Sequence, residues 1–320
     1  MNRGSVVVRW SGSDSVATTT SVRQKTIKTA ISCSGVGLHS GSNVNMTLRP
    51  APSGTGIIFT RVDVENACLA AVYDSVSDTK LGTTLSNVDG VSLGTVEHLM
   101  AALWGCEIDN LFIDIDGPEV PVMDGSSAPF VFLIECAGIV EQDVSRQAIR
   151  VCRSIEVIDG GKRITLRPAT TFSVDFMIDF EHPMISCQTS CFGGEPSTFK
   201  AEISRSRTFG FAKDVEALHA AGFARGGSLE NAVVIGEDCI LNDGGLRYED
   251  EFVRHKVLDC VGDLYLAGAP LLCHVDAHCS GHQLNNGVLR ALFSSDENWE
   301  LEPINNSRSD WIEVPAAAEA

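Results

Sequence analysis

Gly94-Thr95-Val96-Glu97-His98-Leu99-Met100-Ala101-Ala102-Leu103 is the stretch at which the apolar spacing changes from alternation to a helical period. Thr95 stands where an N-cap belongs, Gly105 stands near the stop, and Leu99 with Leu103 marks one buried face. Upstream, residues 26–33, 43–48 and 56–62 read as short strands around a glycine-rich corner at 34–39. Downstream, residues 110–115 read as another strand, a loop passes Pro118 and Pro121, and a second helix starts near Ser126 with an apolar body over 128–137. The polar run Glu141-Gln142-Asp143-Val144-Ser145-Arg146-Gln147 reads as a linker. Strands resume near 149–157, 162–168 and 173–180, and helices close this half at 248–266 and 287–293. Both halves run strands first and helices later, which predicts an α+β fold in two layered units. We expect a disordered N-terminal extension over residues 1–23, α+β domains over 24–143 and 149–300, and a tail over 301–320. No direct self-similarity between the halves is visible, so a common topology rests on element order alone.

Asp and Glu outnumber Lys and Arg by 42 to 24, and the formal net charge of −18 repels nucleic-acid phosphates and anionic bilayers. No nucleic-acid partner is expected, and any bound phosphate must meet local basic residues. At 44% hydrophobic the chain can fill a core, yet no run approaches the roughly 18 consecutive apolar residues of a membrane span, so no stable membrane insertion is expected. The 11 cysteines lack CxxC pairing and read mostly as reduced, buried small hydrophobes, the pattern of a cytoplasmic protein. The first 21 residues lack the apolar core of a secretory signal.

In Tyr248-Glu249-Asp250-Glu251-Phe252-Val253-Arg254-His255-Lys256-Val257-Leu258-Asp259-Cys260-Val261-Gly262-Asp263, His255 and Asp259 share one helix face and can grip one ion. Such a pair also bonds across one turn with no ion at all. Glu97-His98 supplies a third ligand and a carboxylate side by side. Two imidazoles and one carboxylate leave a fourth tetrahedral position for water, the arrangement of a catalytic zinc site rather than a closed structural one. Ser280-Gly281-His282 offers another imidazole, in a turn after a strand. Cys273-His274-Val275-Asp276-Ala277-His278-Cys279 carries metal-friendly residues, but alternation spaces them along one strand face without convergence, so no second metal site is expected there.

Taken together, Gly35-Val36-Gly37-Leu38-His39, Thr95-Val96-Glu97-His98-Leu99, Met123-Asp124-Gly125-Ser126, Ser206-Arg207-Thr208-Phe209-Gly210-Phe211, Asp250 through Asp259, Ser280-Gly281-His282 and Leu284-Asn285-Asn286 resemble the UDP-3-O-acyl-N-acetylglucosamine deacetylases, over about residues 24–300. The resemblance implies a hydrolase that removes acetate from the 2-acetamido group of a UDP-sugar bearing a 3-hydroxyacyl ester, the committed step of lipid A biosynthesis. It implies two α+β domains of similar topology, sheets and helices sandwiched with the active site at their interface. It implies one catalytic Zn2+, with Fe2+ as the alternative ion, on His98, His255 and Asp259. Glu97 is then the base for the attacking water, Thr208 a hydroxyl donor to the oxyanion, and His282 the acid, kept cationic by Asp263. Lys256 is expected to point away from the metal ligands, toward the substrate. Phe209 and Phe211 are expected on the nucleotide sugar and acyl chain, with residues 211–234, including Gly227, lining an acyl passage. One departure stands at Lys80-Leu81-Gly82-Thr83-Thr84, where many family members carry cysteine in place of Gly82.

A non-catalytic binding protein with a structural metal is the competing class, and Glu97 argues against it. A zinc hydrolase of another N-acetyl sugar or of peptides is a second; no HExxH helix supports the peptide form. The expected partner is the UDP-sugar, and the expected state a monomer.

Overall fold

The computed structural model describes residues 20–306. Its first sheet has five strands in the order Ile31–Val36, Asn43–Pro50, Leu111–Ile115, Ile57–Arg61, Ala67–Ala70. Leu111–Ile115 runs antiparallel to Asn43–Pro50 and parallel to Ile57–Arg61. Alternation puts Val44, Met46, Leu48, Phe59, Leu111 and Ile113 on the core side, which is why these segments pair as half-buried strands. The second sheet orders Ile155–Asp159, Lys162–Pro168, Leu271–His278, Gln147–Val151 and Trp299–Pro303, with Ser173–Asp179 beside Leu271–His278 and Cys187–Phe192 beyond it. The helices are α1 (Glu97–Gly105), α2 (Ala128–Ala137), the single turn α3 (Pro196–Thr198), α4 (Val215–Ala220), α5 (Glu251–Tyr265) and α6 (His282–Leu292). α1 packs along α5, α5 also touches α6, and one continuous apolar core runs through both sheets and these helices. The α+β class predicted from element order is the class observed. Among the described residues, no helix is long and apolar enough to cross a membrane.

Several local readings change. Residues 1–19 of the expected extension lie outside the described residues, but Thr20–Ser21 pairs with Asn305–Asn306 and Arg23 already belongs to the strand Arg23–Ile27. Trp299–Pro303 likewise pairs with Gln147–Val151, so the start of the expected tail is a sheet strand, while 307–320 lie outside the described residues. The presumed linker is the strand Ile139–Ser145 on Arg23–Ile27 with a register shift between Glu141 and Ser145; a solvent-facing edge accepts polar residues on both faces. Thr95 does not cap α1: it sits at φ +56°, and its hydroxyl donates to Glu119 Oε1 at 2.7 Å, leaving Val96 at the cap position. α1 has no single buried face, because all of its residues are buried. All 11 cysteines are unpaired, as read, but only Cys106, Cys260 and Cys273 are buried. Several of the rest fall at outward positions of strands, including Cys187 and Cys191 on an outer strand of the second sheet.

Candidate active site

Where α1 crosses α5, Gly262 brings the two backbones into contact: a Cβ there would overlap the Glu97 carbonyl oxygen and stand 2.9 Å from its carbon. That approach sets Glu97 and His98, at the start of α1, against the face of α5 that carries His255 and Asp259. Glu97 and His98 are each no more than 4% exposed, so their polar atoms must find partners inside. Glu97 Oε2 accepts from the Thr83 N–H at 3.0 Å, leaving Oε1 4.0 Å from His282 Nε2. Burial is the main influence on this carboxyl and pushes its pKa above the ordinary range.

His98, His255 and Asp259 each offer one ligand atom, all within 4.8 Å of one another. Asp259 Oδ1 lies 3.4 Å from His255 Nε2 and 3.6 Å from His98 Nε2, and it has no hydrogen-bond partner although it is buried. A buried carboxylate oxygen left unpaired between two imidazoles is an arrangement that a cation satisfies. Ligands about 2.1 Å from a tetrahedral ion stand about 3.4 Å apart, so the donor set fits a divalent metal. His255 Nδ1 donates to the Ser206 carbonyl at 3.0 Å, which turns the lone pair of Nε2 toward Asp259. Burial pushes the His255 pKa down to about 3, so the ring is the neutral form a metal requires.

His282 opens α6. Its Nδ1 donates to Asp263 Oδ2 at 2.8 Å, and Nε2 faces the space between Glu97 and Asp259, 4.0 Å from Asp259 Oδ2. Burial opposes its charge, but the Asp263 carboxylate, with Glu97 and Asp259 nearby, overcomes this and holds the pKa up to about 9. Asp263 also accepts from the Thr83 hydroxyl at 2.6 Å and from Asn285 Nδ2 at 2.9 Å.

These groups open on a cavity of about 350 Å³, which Thr208, Phe209 and Lys256 also line. The segment carrying Thr208 is held from two sides. Glu251, fully buried at the start of α5, accepts from the Arg207 backbone N–H and from its guanidinium at 2.8 and 3.0 Å. The Thr208 N–H donates to the Gly125 carbonyl at 2.8 Å, and Gly125, at φ +83°, packs where a side chain would overlap the Asn231 carbonyl. No hydrogen bond from the Thr208 hydroxyl is made within the described residues, so it is free for a ligand.

Residues 24–294 match the family described as LpxC, UDP-3-O-acyl N-acetylglycosamine deacetylase. The chain belongs to this deacetylase family. Proteins named UDP-3-O-acyl-N-acetylglucosamine deacetylase are similar over most of the chain. The one from Idiomarina loihiensis is 51% identical over 283 residues, covering 88% of this chain and 92% of that protein. The one from Myxococcus xanthus is 50% identical over 284 residues, covering 88% and 90%. Membership makes the chain an amide-cleaving hydrolase of lipid A biosynthesis, in a metal-dependent family.

Of the deacetylase residues read from the sequence, the fold brings Glu97, His98, Thr208, Phe209, His255, Lys256, Asp259 and His282 around one cavity, with Asp263 behind His282. Lys256 corrects its expected direction: it does not point away from the ligands, because i,i+3 spacing puts it on the face of Asp259, whose Oδ2 it meets at 2.7 Å. Phe211 and Gly227 are not in this lining. Phe211 lines a separate cavity of about 470 Å³ with His182, Lys213 and Ile235, and Gly227 packs near Leu38. Residues 211–234 run from the end of the strand Phe209–Phe211 through α4 and turns into its parallel neighbour Val233–Ile235. The strand Leu271–His278 shows its alternating polar face, and among the described residues the only group of potential metal ligands is the His98 trio. Sequence reading missed Asp159 and Lys162, which line the cavity from a hairpin turn, and the buried Thr83; the Gly160-Gly161 pair beside Lys162 was the available signal.

Proposed function

We propose that this chain hydrolyses the 2-acetamido group of UDP-3-O-(3-hydroxyacyl)-N-acetylglucosamine, releasing acetate, with one zinc ion on His98, His255 and Asp259. The reading rests on a single observation: two imidazole Nε2 atoms converge on a buried, unpartnered Asp259 oxygen beside Glu97. When bound, the ion supplies Lewis acidity, polarising the amide carbonyl and acidifying water. Zinc suits two nitrogens and one oxygen with an open position, and Fe2+ is the competing ion.

Glu97 is the base. Its Oε1 takes the proton of the attacking water, and a pKa raised by burial suits a base working near neutrality. The Thr208 hydroxyl donates to the oxyanion as the carbonyl becomes tetrahedral. His282, cationic and held at Nδ1 by Asp263, gives its Nε2 proton to the departing nitrogen, which leaves as an amine. Lys256 presents a cation to the substrate at the cavity wall, and Phe209 packs on the sugar. Phe211 and Gly227 border the acyl passage in this reading, and of the two only Phe211 lines the second cavity. Action as a monomer in a reducing, cytoplasmic setting completes the proposal, the unpaired cysteines supporting the reducing setting.

Acetate release from the UDP-sugar, measured with metal content, tests this. Chelation is expected to abolish turnover and readdition of zinc to restore it; turnover unchanged after metal removal sinks the proposal. Glu97→Ala is expected to keep stoichiometric metal and lose at least about 10²-fold in kcat. Loss of the metal in that variant makes Glu97 a ligand and overturns its role.

A further inference from the structure

Thr83 is 1% exposed and does not line the cavity, yet it touches both sides of the proposed proton traffic. Its hydroxyl donates to Asp263 Oδ1 at 2.6 Å, and its backbone N–H donates to Glu97 Oε2 at 3.0 Å. Its carbonyl accepts from the Val96 N–H at 3.3 Å, which ties the residue to the start of α1. The two carboxylates stand in different helices, and Thr83 is separated from them by 14 and 180 positions in sequence.

A carboxylate turns easily about its terminal bond, and its hydrogen-bond donors decide which oxygen faces where. With Oδ1 of Asp263 taken by Thr83, Oδ2 is the oxygen that meets His282 Nδ1 at 2.8 Å and Asn285 Nδ2 at 2.9 Å. With Oε2 of Glu97 taken by the same residue, Oε1 is the oxygen left beside His282.

We propose that Thr83 is a positioning residue of the deacetylation, orienting Asp263 through its hydroxyl so that His282 presents Nε2 to the leaving nitrogen. This rests on the acid role assigned to His282 above. Without the hydroxyl, Asp263, itself 2% exposed, keeps a buried oxygen with no donor. The carboxylate then rotates, and the His282 ring loses its fixed direction. The backbone N–H to Glu97 survives any side-chain change, so the hydroxyl can be tested by itself.

Thr83→Val removes the donor and keeps the branched shape; Thr83→Ser keeps the donor. Thr83→Val is expected to lower kcat about 10- to 100-fold, the usual effect of losing a partner that orients an active-site group, with KM and metal stoichiometry unchanged. Thr83→Ser is expected to retain kcat within about threefold of the parent. In a His282→Ala background, Thr83→Val is expected to have no further effect, because its influence passes through the imidazole. Unchanged kcat in Thr83→Val, an equal loss in Thr83→Ser, a loss carried by KM or metal content, or the same fold-loss in both backgrounds overturns the proposal. If His282→Ala alone keeps full turnover, the acid assignment has failed and Thr83 falls with it. If His282→Ala is crippled while Thr83→Val is normal, only the role of Thr83 has failed.

Discussion

Gly262→Ala adds one methyl group at the crossing of α1 and α5, and the structure says what it meets. The new Cβ would overlap the Glu97 carbonyl oxygen and lie 2.9 Å from the Glu97 carbonyl carbon and 3.0 Å from the Ala101 nitrogen. These are backbone atoms of a wholly buried helix and cannot swing aside, so the helices must part by about 1.5 Å to restore ordinary contact near 3.5 Å. Overpacking of this kind costs about 1–3 kcal/mol, against about 1 kcal/mol gained by replacing glycine within a helix. The net expectation is a loss of up to about 2 kcal/mol in urea unfolding. The catalytic effect is larger than the loss of stability. Separation carries Glu97 and His98 away from His255 and Asp259, and a misplacement of about 1 Å costs about 10²-fold in rate. Gly287→Ala in α6 is the matched control: its Cβ meets only Val157 Cγ1, at an ordinary 3.6 Å, so it is expected to be neutral or to stabilise by about 0.5–1 kcal/mol with activity intact. Urea midpoints and acetate-release kinetics on both variants decide the matter. A Gly262→Ala protein with parental midpoint and kcat refutes the argument that this glycine sets the site.

Thr208→Val is expected to lower kcat about 10²-fold with little change in unfolding midpoint, since its hydroxyl holds nothing within the described protein; an equal loss of stability would mark it as structural instead. Glu251→Gln is expected to cost about 3 kcal/mol at pH 7 by leaving the mostly buried Arg207 without its counter-charge. Burial raises the Glu251 pKa, but the Arg207 donors outweigh it and hold the carboxyl below its usual value. That stability is present above the unfolded carboxylate pKa of about 4.3 and is lost as pH falls through the lower folded value. The gap in urea midpoint between parent and variant should therefore close below about pH 4; a gap that persists unchanged there contradicts the assignment.

Some of this was legible in the residues alone. His255 and Asp259 share a face because a helix repeats every 3.6 residues, and that period was visible in Val253, Val257 and Val261. The same period puts Lys256 against Asp259, three positions on, whereas its place next to His255 in sequence suggests a different direction on the helix. The strand Ile139–Ser145 read as a linker because an edge strand need not alternate, and composition cannot separate the two. Thr83 was invisible as a functional residue: one of its bonds uses the backbone N–H, which every residue but proline carries, and the other reaches 180 positions along the chain.

By itself the sequence determined which chemistry-bearing groups exist, the α+β order of elements, and the helical spacing that lets His255 and Asp259 grip one ion. Those are consequences of local periodicity and residue type. Only the tertiary structure decided that His98 Nε2 and His255 Nε2 meet at one Asp259 oxygen, that Glu97 Oε1 and His282 Nε2 face each other across 4.0 Å, and that Thr83 bridges the two carboxylates. Those relations depend on two helices meeting at Gly262 without an intervening side chain, and a close approach between distant segments is a property of packing.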